Sequence, residues 1–392
     1  MKKRIVIAVI TAGFLLVAVA VAVFTFGPGL VESRMNRVRA AAKPAPSDVS
    51  RAFHSTLFVA DLHADTLLWN RNLLIESGRG HVDIPRLAAG NVALQMFTVV
   101  TQTPRNMNYN NNASSTDNVT LLAMLQCWPP ATWSSRLERA LYQARRLHDA
   151  ADNSGGTLSL IESQEDFSTF MERRKTQPRD VGCLLGIEGL HCLEGSLENV
   201  DVLFSAGFRM MGPAHFFDNE VGGSAHGVEK RGLSEFGLQV VRRMEECHIV
   251  IDLAHASPKL IDDILRVATH PVICSHTGVK GTCDNGRNLS DDHLRRIAQS
   301  GGLIGIGYWD SAVCGNDVAS IVAAIRYAVN VAGVDHIALG SDFDGAVTTP
   351  FDASGVVTIT DGLLAAGVAE EDIAKIMGEN VQRFFMQALP PA

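Results

Sequence analysis

The chain has 392 residues, 46% of them hydrophobic and 19% charged, with a formal net charge of −8. That is enough apolar sequence for one large α/β domain or two smaller ones, and it excludes a disordered protein. Residues 1–43 carry seven Lys/Arg and one Glu, which leaves the remainder net −14. An acidic body without a basic stripe argues against nucleic acid as a partner.

In chain order, residues 1–4 form a basic n-region, Lys2-Lys3-Arg4, before an uncharged run over 5–30 that is apolar almost throughout to Phe26. About 20 apolar residues cross a bilayer, whereas the core of a signal peptide is usually about 7–15 long. The expectation is an uncleaved transmembrane signal anchor, with signal cleavage and secretion as the alternative. The basic cluster at the very N-terminus favours N-in, which places the body outside the cytoplasm, in a periplasmic setting. Residues 31–50 read as a linker, with Lys43-Pro44-Ala45-Pro46-Ser47 in it. The body is expected over 51–389.

Seven cysteines, at 127, 183, 192, 247, 274, 283 and 314, are scattered with no Cys-x-x-Cys pair. They are expected mainly as buried or free thiols, with an isolated disulfide left open.

Eight β-rich runs follow, over 57–62, 92–100, 181–187, 208–212, 249–253, 271–275, 303–308 and 336–340. Most are apolar nearly throughout rather than alternating, the pattern of parallel strands covered on both faces. Helical patterns separate most of them. Ser234 caps a helix to about Cys247, Ser257-Pro258 opens a second, and Ser290 with Asp291 and Asp292 opens a third. Further helices are expected over 318–331 and 370–386. Eight buried strands with intervening helices predict a (β/α)8 TIM-like barrel. An insert at about 101–157 reads as an elaboration of one βα connection.

Polar residues stand where the strands end. His63 and Asp65 are two apart and leave one face of strand 1 together. Strand 3 ends at Glu188, strand 4 leads to His215, strand 5 to His255, strand 6 to His276, and strand 8 to Asp342. A barrel builds its chemistry on this rim, from the ends of different strands. Each residue alone has a structural explanation. Together they are costly to bury unless paired or bound to cations. His63, Asp65, Glu188, His255, His276 and Asp342 exceed the three protein ligands of one catalytic zinc. Two ions about 3.5–4 Å apart, sharing a carboxylate, fit that inventory better.

Several longer stretches carry a resemblance. They are Gly232-Leu233-Ser234-Glu235-Phe236-Gly237 leading to Asp252-Leu253-Ala254-His255-Ala256-Ser257, then Cys274-Ser275-His276 and Cys283-Asp284-Asn285-Gly286-Arg287-Asn288. Ser341-Asp342-Phe343-Asp344-Gly345 and Met377-Gly378-Glu379-Asn380 complete the set. The chain resembles the membrane dipeptidase (renal dipeptidase) family in its bacterial form, binuclear zinc peptidases of the metal-dependent hydrolase barrels.

The resemblance implies that His63 and Asp65 ligate one zinc, with Asp342 as a further ligand. It implies that His255 and His276 ligate a second Zn2+ and that Glu188 bridges the two. His215 would stabilise the oxyanion. Arg287 would bind the substrate's C-terminal carboxylate, and Asp342 would carry a proton from water to the leaving amine. The implied reaction is hydrolysis of the peptide bond of dipeptides by a hydroxide held between the ions, in a chain that forms a homodimer.

The departures fall on Leu62 and Ala64, which flank His63, on 216–226 after His215, and on the insert at 101–157. These leave the substrate open. A second reading is another binuclear-metal hydrolase, acting on an amide, lactone or β-lactam. A third is a non-catalytic binding module on the same barrel, whose mark would be a lost ligand; none is lost.

Overall fold

The computed structural model describes residues 2–39 and 45–391. Residues 40–44 of the expected linker lie outside the described residues. Eight strands form the centre: β1 (Val59–Ala64), β2 (Val92–Val100), β3 (Val181–Glu188), β4 (Phe208–Gly212), β5 (Val250–Ile251), β6 (Ile273–Thr277), β7 (Leu303–Ile306) and β8 (Ile337–Leu339). All neighbours run parallel, in the order β5-β4-β3-β2-β1-β8-β7-β6. One bridge, Asp252 to Ile273, joins β5 to β6 and brings the curled sheet round on itself. The expected barrel is therefore present. β5 spans two residues rather than the expected five because a single bridge is all that pairs its β6 side. The β2–β3 pairing is the longest, seven consecutive partners from Leu94–Gly182 to Val100–Glu188.

The sequence sets the helices as expected. The side chains of Ser234, Ser257 and Ser290 accept from the backbone N–H groups of Gly237, Leu260 and His293, satisfying donors at each helix start. The last helical stretch, expected unbroken, runs as Glu370–Ala374, a wide turn over Lys375–Glu379, and Asn380–Ala388. It breaks at Gly378, where a Cβ would lie 2.0 Å from the Phe58 carbonyl. Only glycine lets the backbones approach so closely.

One apolar cluster takes residues from all eight strands, among them Leu62, Met96, Leu184 and Met210. Phe384, Phe385 and Leu389 of the final helix join it and plug the floor of the barrel. The ionisable residues thus sit at the opposite, C-terminal end of the strands. Within the insert lie the helices Val119–Leu125 and Arg136–Asn153. The short strand Leu158–Leu160 then pairs with the start of β3.

The N-terminal helix, Lys2–Met35, is long and apolar enough to cross a membrane. It continues past the uncharged run and seats on the barrel. Glu32 is buried and ion-paired to Arg71 and, at 3.1 Å, to Arg79. Arg37–Val38 then pairs with Thr348–Thr349. Cys283 and Cys314 form a disulfide, so these two are not the free thiols expected of the set. Cys183, Cys192 and Cys274 are buried free thiols.

Candidate active site

Glu188 ends β3 on the same face as Leu184 and Gly186, because residues two apart in a strand share a face. A Cβ at Gly186 would press within 3.2 Å of Met96, Thr98 and Met210. Gly189 then turns the chain sharply with φ 92°. Three imidazoles meet the carboxylate. His215 Nε2 lies 2.9 Å from Oε1, while His255 Nε2 and His63 Nε2 lie 3.4 and 3.5 Å from Oε2. His63 Nε2 is also 3.5 Å from Asp65 Oδ1, so the two residues point together as their spacing predicts. Thr98 donates to Asp65 Oδ1 at 2.6 Å and fixes it. His255 Nε2 faces His276 Nε2 at 3.0 Å.

All these side chains are buried. Burial opposes ionisation of Glu188, yet His215 first, with His255 and His63 beside it, holds it well below the usual carboxylate range. Burial, with Arg287 among the nearby positive groups, pushes His255 well down; burial, with His63 and Arg287, does the same to His276. Burial would lower His63 too, but Asp65 and Glu188 raise it well above the usual imidazole. Burial raises Asp342 well above the carboxylate range, with Asp65 and Glu188 adding to it and His63 and Arg287 opposing.

The donor set fits metal ions. His63 Nε2 is buried with no hydrogen-bond partner, and the two facing Nε2 atoms of His255 and His276 offer lone pairs to a common point. Donor atoms within 4.8 Å of one another group His63, Asp65 and Glu188, and separately Glu188, His215 and His255. Glu188 belongs to both groups. Asp342 is in neither group. It lines a chamber of about 40 Å³ together with Asp65, Glu188, His215 and His255, and with Arg287, Trp309 and Tyr109. His215, expected on the substrate side, makes the shortest of the contacts to Glu188.

Two of the residues adopt left-handed backbone, His255 at φ 61° and Asp342 at φ 59°. This conformation costs an ordinary residue about 1–2 kcal/mol. The surroundings hold it: Ala225 N–H donates to His255 O at 2.8 Å and Gly345 N–H to Asp342 O at 3.1 Å.

Arg287 stands across the chamber. Its Nη2 donates to His276 O at 2.8 Å, its Nε is buried without a partner, and its guanidinium lies 5.8 Å from the Trp309 ring centroid. The loop is braced by Asn288, whose Nδ2 donates to Cys283 O at 2.7 Å and Ala312 O at 2.9 Å, and by the Cys283–Cys314 disulfide.

Sequence reading gave no role to Asp252 and Ser275, and the structure places both directly behind the imidazoles. Ser275 Oγ lies 2.6 Å from Asp252 Oδ2, 3.0 Å from His63 Nδ1 and 2.9 Å from His276 Nδ1. The available signal was a lone Asp and a lone Ser at the ends of two apolar strands.

An all-parallel barrel with imidazoles and carboxylates gathered at the C-terminal end of its strands defines a metal-dependent hydrolase of the TIM-barrel type. The family model "Membrane dipeptidase (Peptidase family M19)" matches residues 48–389. The chain belongs to that family and is a metallo-dipeptidase by kind. An uncharacterized dipeptidase of Schizosaccharomyces pombe is 28% identical over 317 residues, 77% of this chain and 71% of the relative. The probable dipeptidase PvdM from Pseudomonas aeruginosa shares the fold at TM-score 0.72 and 18% identity, over 87% of this chain and 98% of that one. A metallopeptidase from Rhodobacter sphaeroides, solved with a phosphinate mimic of the dipeptide L-Ala-D-Ala, shares it at TM-score 0.69 and 22% identity, over 85% and 99%.

Proposed function

We propose that the chain hydrolyses the peptide bond of dipeptides with two zinc ions held by His63, Asp65, Glu188, His255 and His276, Glu188 being common to both. The observation that carries this is that Glu188 groups with His63 and Asp65 and separately with His255, whose Nε2 lies 3.0 Å from that of His276. Bound there, the ions supply a Lewis acid and lower the pKa of water toward neutrality. The protein supplies the rest. Arg287, which lines the chamber and whose Nε is buried without a partner, takes the substrate's C-terminal carboxylate in its planar fork. That contact limits the leaving side to one residue. His215 lies beside the scissile carbonyl and supports the developing oxyanion. Asp342, on the chamber wall with Arg287, accepts the proton of the attacking water and returns it to the leaving amine.

The barrel over 51–389 is held by the span at 5–30 as a single-pass protein with the catalytic domain outside the cytoplasm. The disulfide supports that compartment. A homodimer rests on the family resemblance alone.

The test is a panel of L,L- and L,D-dipeptides with the zinc-loaded enzyme, a chelator-treated control and a metal count. Chelator-sensitive release of free amino acids with two zinc ions per chain is the expected result. The relative that binds an L-Ala-D-Ala mimic makes the L,D column the informative one. Two bound zinc ions with no dipeptide cleaved would move the reading to another amide, lactone or β-lactam.

A further inference from the structure

A larger cavity, about 370 Å³, opens beside the site. At its inner end are Asp65, Glu188 and His215, which also face the small chamber that holds Arg287. The two spaces therefore meet at the reacting centre. The wall of the large cavity is mostly apolar. Leu68, Trp69 and Leu122 form one part of it, and Val31 and Met35 from the last turns of the N-terminal helix form another. The latter two lie before residue 48, where the family match begins. This wall belongs to the chain's own N-terminal segment rather than to the family's barrel.

The helix end is fixed in place. Glu32, between the two wall residues, is buried against Arg71, and Arg71 Nη2 in turn donates to Asp344 Oδ2 at 2.5 Å. Asn36 Oδ1 accepts from Ala346 N–H at 2.9 Å, and Ala346 itself lines the cavity. Gly27 lies against Leu125, where a Cβ would be 3.2 Å from its Cδ1. The rim carries Met35, Met107 and Leu121 at 40%, 36% and 54% exposure, large apolar groups placed just past the end of the apolar span.

Site polarity decides which half of a substrate enters. With the carboxylate on Arg287, the acyl half of the scissile amide lies beyond Glu188 and His215, in the apolar cavity. Against the outer wall of Leu68, Trp69, Leu122, Val31 and Met35 a charged group would lose water without gaining a partner, while an apolar group gains from burial; the carboxylates of Asp65 and Glu188 lie only at the inner end. We infer that this cavity, with Val31 and Met35 as one wall, is an acyl-side subsite for a large apolar group. The preferred substrates are N-acylated amino acids, dipeptides among them, whose acyl half carries a bulky apolar side chain or an arylalkyl or alkyl chain. The assignment of the two halves rests on the dipeptidase reading of the Arg287 end.

The test uses the full chain, zinc-loaded, in detergent micelles. Values of kcat/KM are compared for Gly-Gly, Phe-Gly and N-(4-phenylbutanoyl)glycine. One or both apolar substrates should exceed Gly-Gly by about tenfold or more, as burial of a phenyl-sized group requires. Preference for Phe-Gly alone assigns the cavity to a side chain, and preference for the acylglycine alone assigns it to an acyl chain. The double variant Val31→Asp/Met35→Asp should abolish the preference; Met35→Gln, at a half-exposed position, should reduce it without threatening the fold. A preference within about twofold of unity in the wild type, or one that survives both variants, overturns the inference.

A second measurement needs no turnover. Trp69 lines the cavity, so quenching of tryptophan fluorescence by N-(4-phenylbutanoyl)glycine is compared with quenching by N-acetylglycine. Tighter binding of the arylalkyl compound by about tenfold, lost in the variants, supports the inference even if no dipeptide is cleaved. That combination would sink the dipeptidase reading alone. Equal binding of the two compounds sinks the subsite whatever the turnover.

Discussion

The Ser275 hydroxyl and the Asp252 carboxylate meet at 2.6 Å, and that contact fixes what the hydroxyl can do elsewhere. Its one hydrogen goes to Asp252. Toward His63 Nδ1 and His276 Nδ1 it can only accept, so both of those nitrogens carry hydrogen. The Nε2 of His276 then keeps its lone pair for the site, and that of His63 is freed when a metal displaces its proton. One buried serine thus orients two neighbouring imidazoles, whose ring centroids lie 3.7 Å apart.

Ser275→Ala should therefore weaken zinc binding at both positions. Loss of such a supporting hydrogen bond typically costs about 10–100-fold in metal affinity. Competition against a chelator reads the affinity, and nitrogen NMR of the metal-free protein reads the tautomers. A mixed tautomer population at His276 is expected in the variant. Zinc affinity within about twofold of wild type would show that the hydroxyl does not govern the ligands.

Glu188 and Arg287 should separate metal binding from substrate binding. Glu188→Ala removes the carboxylate shared by the two donor groups and leaves His63, His215 and His255 without their common partner. Zinc content and turnover should both fall. Arg287→Ala should keep the metal and raise KM roughly 30-fold or more, the effect of removing one partner of a buried charge pair. Full zinc and full turnover in Glu188→Ala would sink its assignment as the shared ligand.

How far these residues could be read from the sequence depended on what holds them. His63 and Asp65 were legible because a strand's two-residue period is local. The eight strands were legible because burial on both faces leaves uninterrupted apolar runs. The pairing of Ser275 with Asp252 was not, because it forms only where β5 meets β6 and the sheet comes round on itself. Glu32 fell in the stretch 31–50 read as a linker, since its partners Arg71 and Arg79 lie some forty residues on and depend on where the helix docks. Cys283 and Cys314 sit in two separate loops and carry no spacing signature.

The disulfide should matter to substrate binding through Arg287. Cys283 opens the Arg287 loop, and Cys314 ends the short helix Asp310–Val313 beside Trp309. Cys283→Ser with Cys314→Ser should lower stability by about 2–4 kcal/mol, as expected for freeing a loop of this length. It should also raise KM for a dipeptide several-fold, with zinc content unchanged. An unchanged KM alongside the lost stability would mean that Asn285 and Asn288 position Arg287 on their own.

Acid stability should turn on a buried histidine near the N-terminal end of the barrel domain, His54. His54 is buried between Gly90 O, 2.9 Å from Nε2, and Thr360 Oγ1, 2.8 Å from Nδ1. The neutral ring satisfies both contacts, donating from Nε2 and accepting at Nδ1. Burial lowers its pKa, opposed in part by the bond to Gly90. An unfolded histidine titrates near about 6.5. Between that value and the lower folded one, the unfolded chain binds more protons. The stabilisation is then complete above about pH 6.5 and is lost as pH falls toward the folded pKa, by at most about 1.4 kcal/mol per pH unit. His54→Gln keeps a donor for Gly90 and removes the titration. The stability gap between wild type and variant, from denaturant unfolding at pH 7.5 and 5.5, should shrink by about 1 kcal/mol on acidification. A gap that stays constant across that interval would place the protonation penalty elsewhere in the chain.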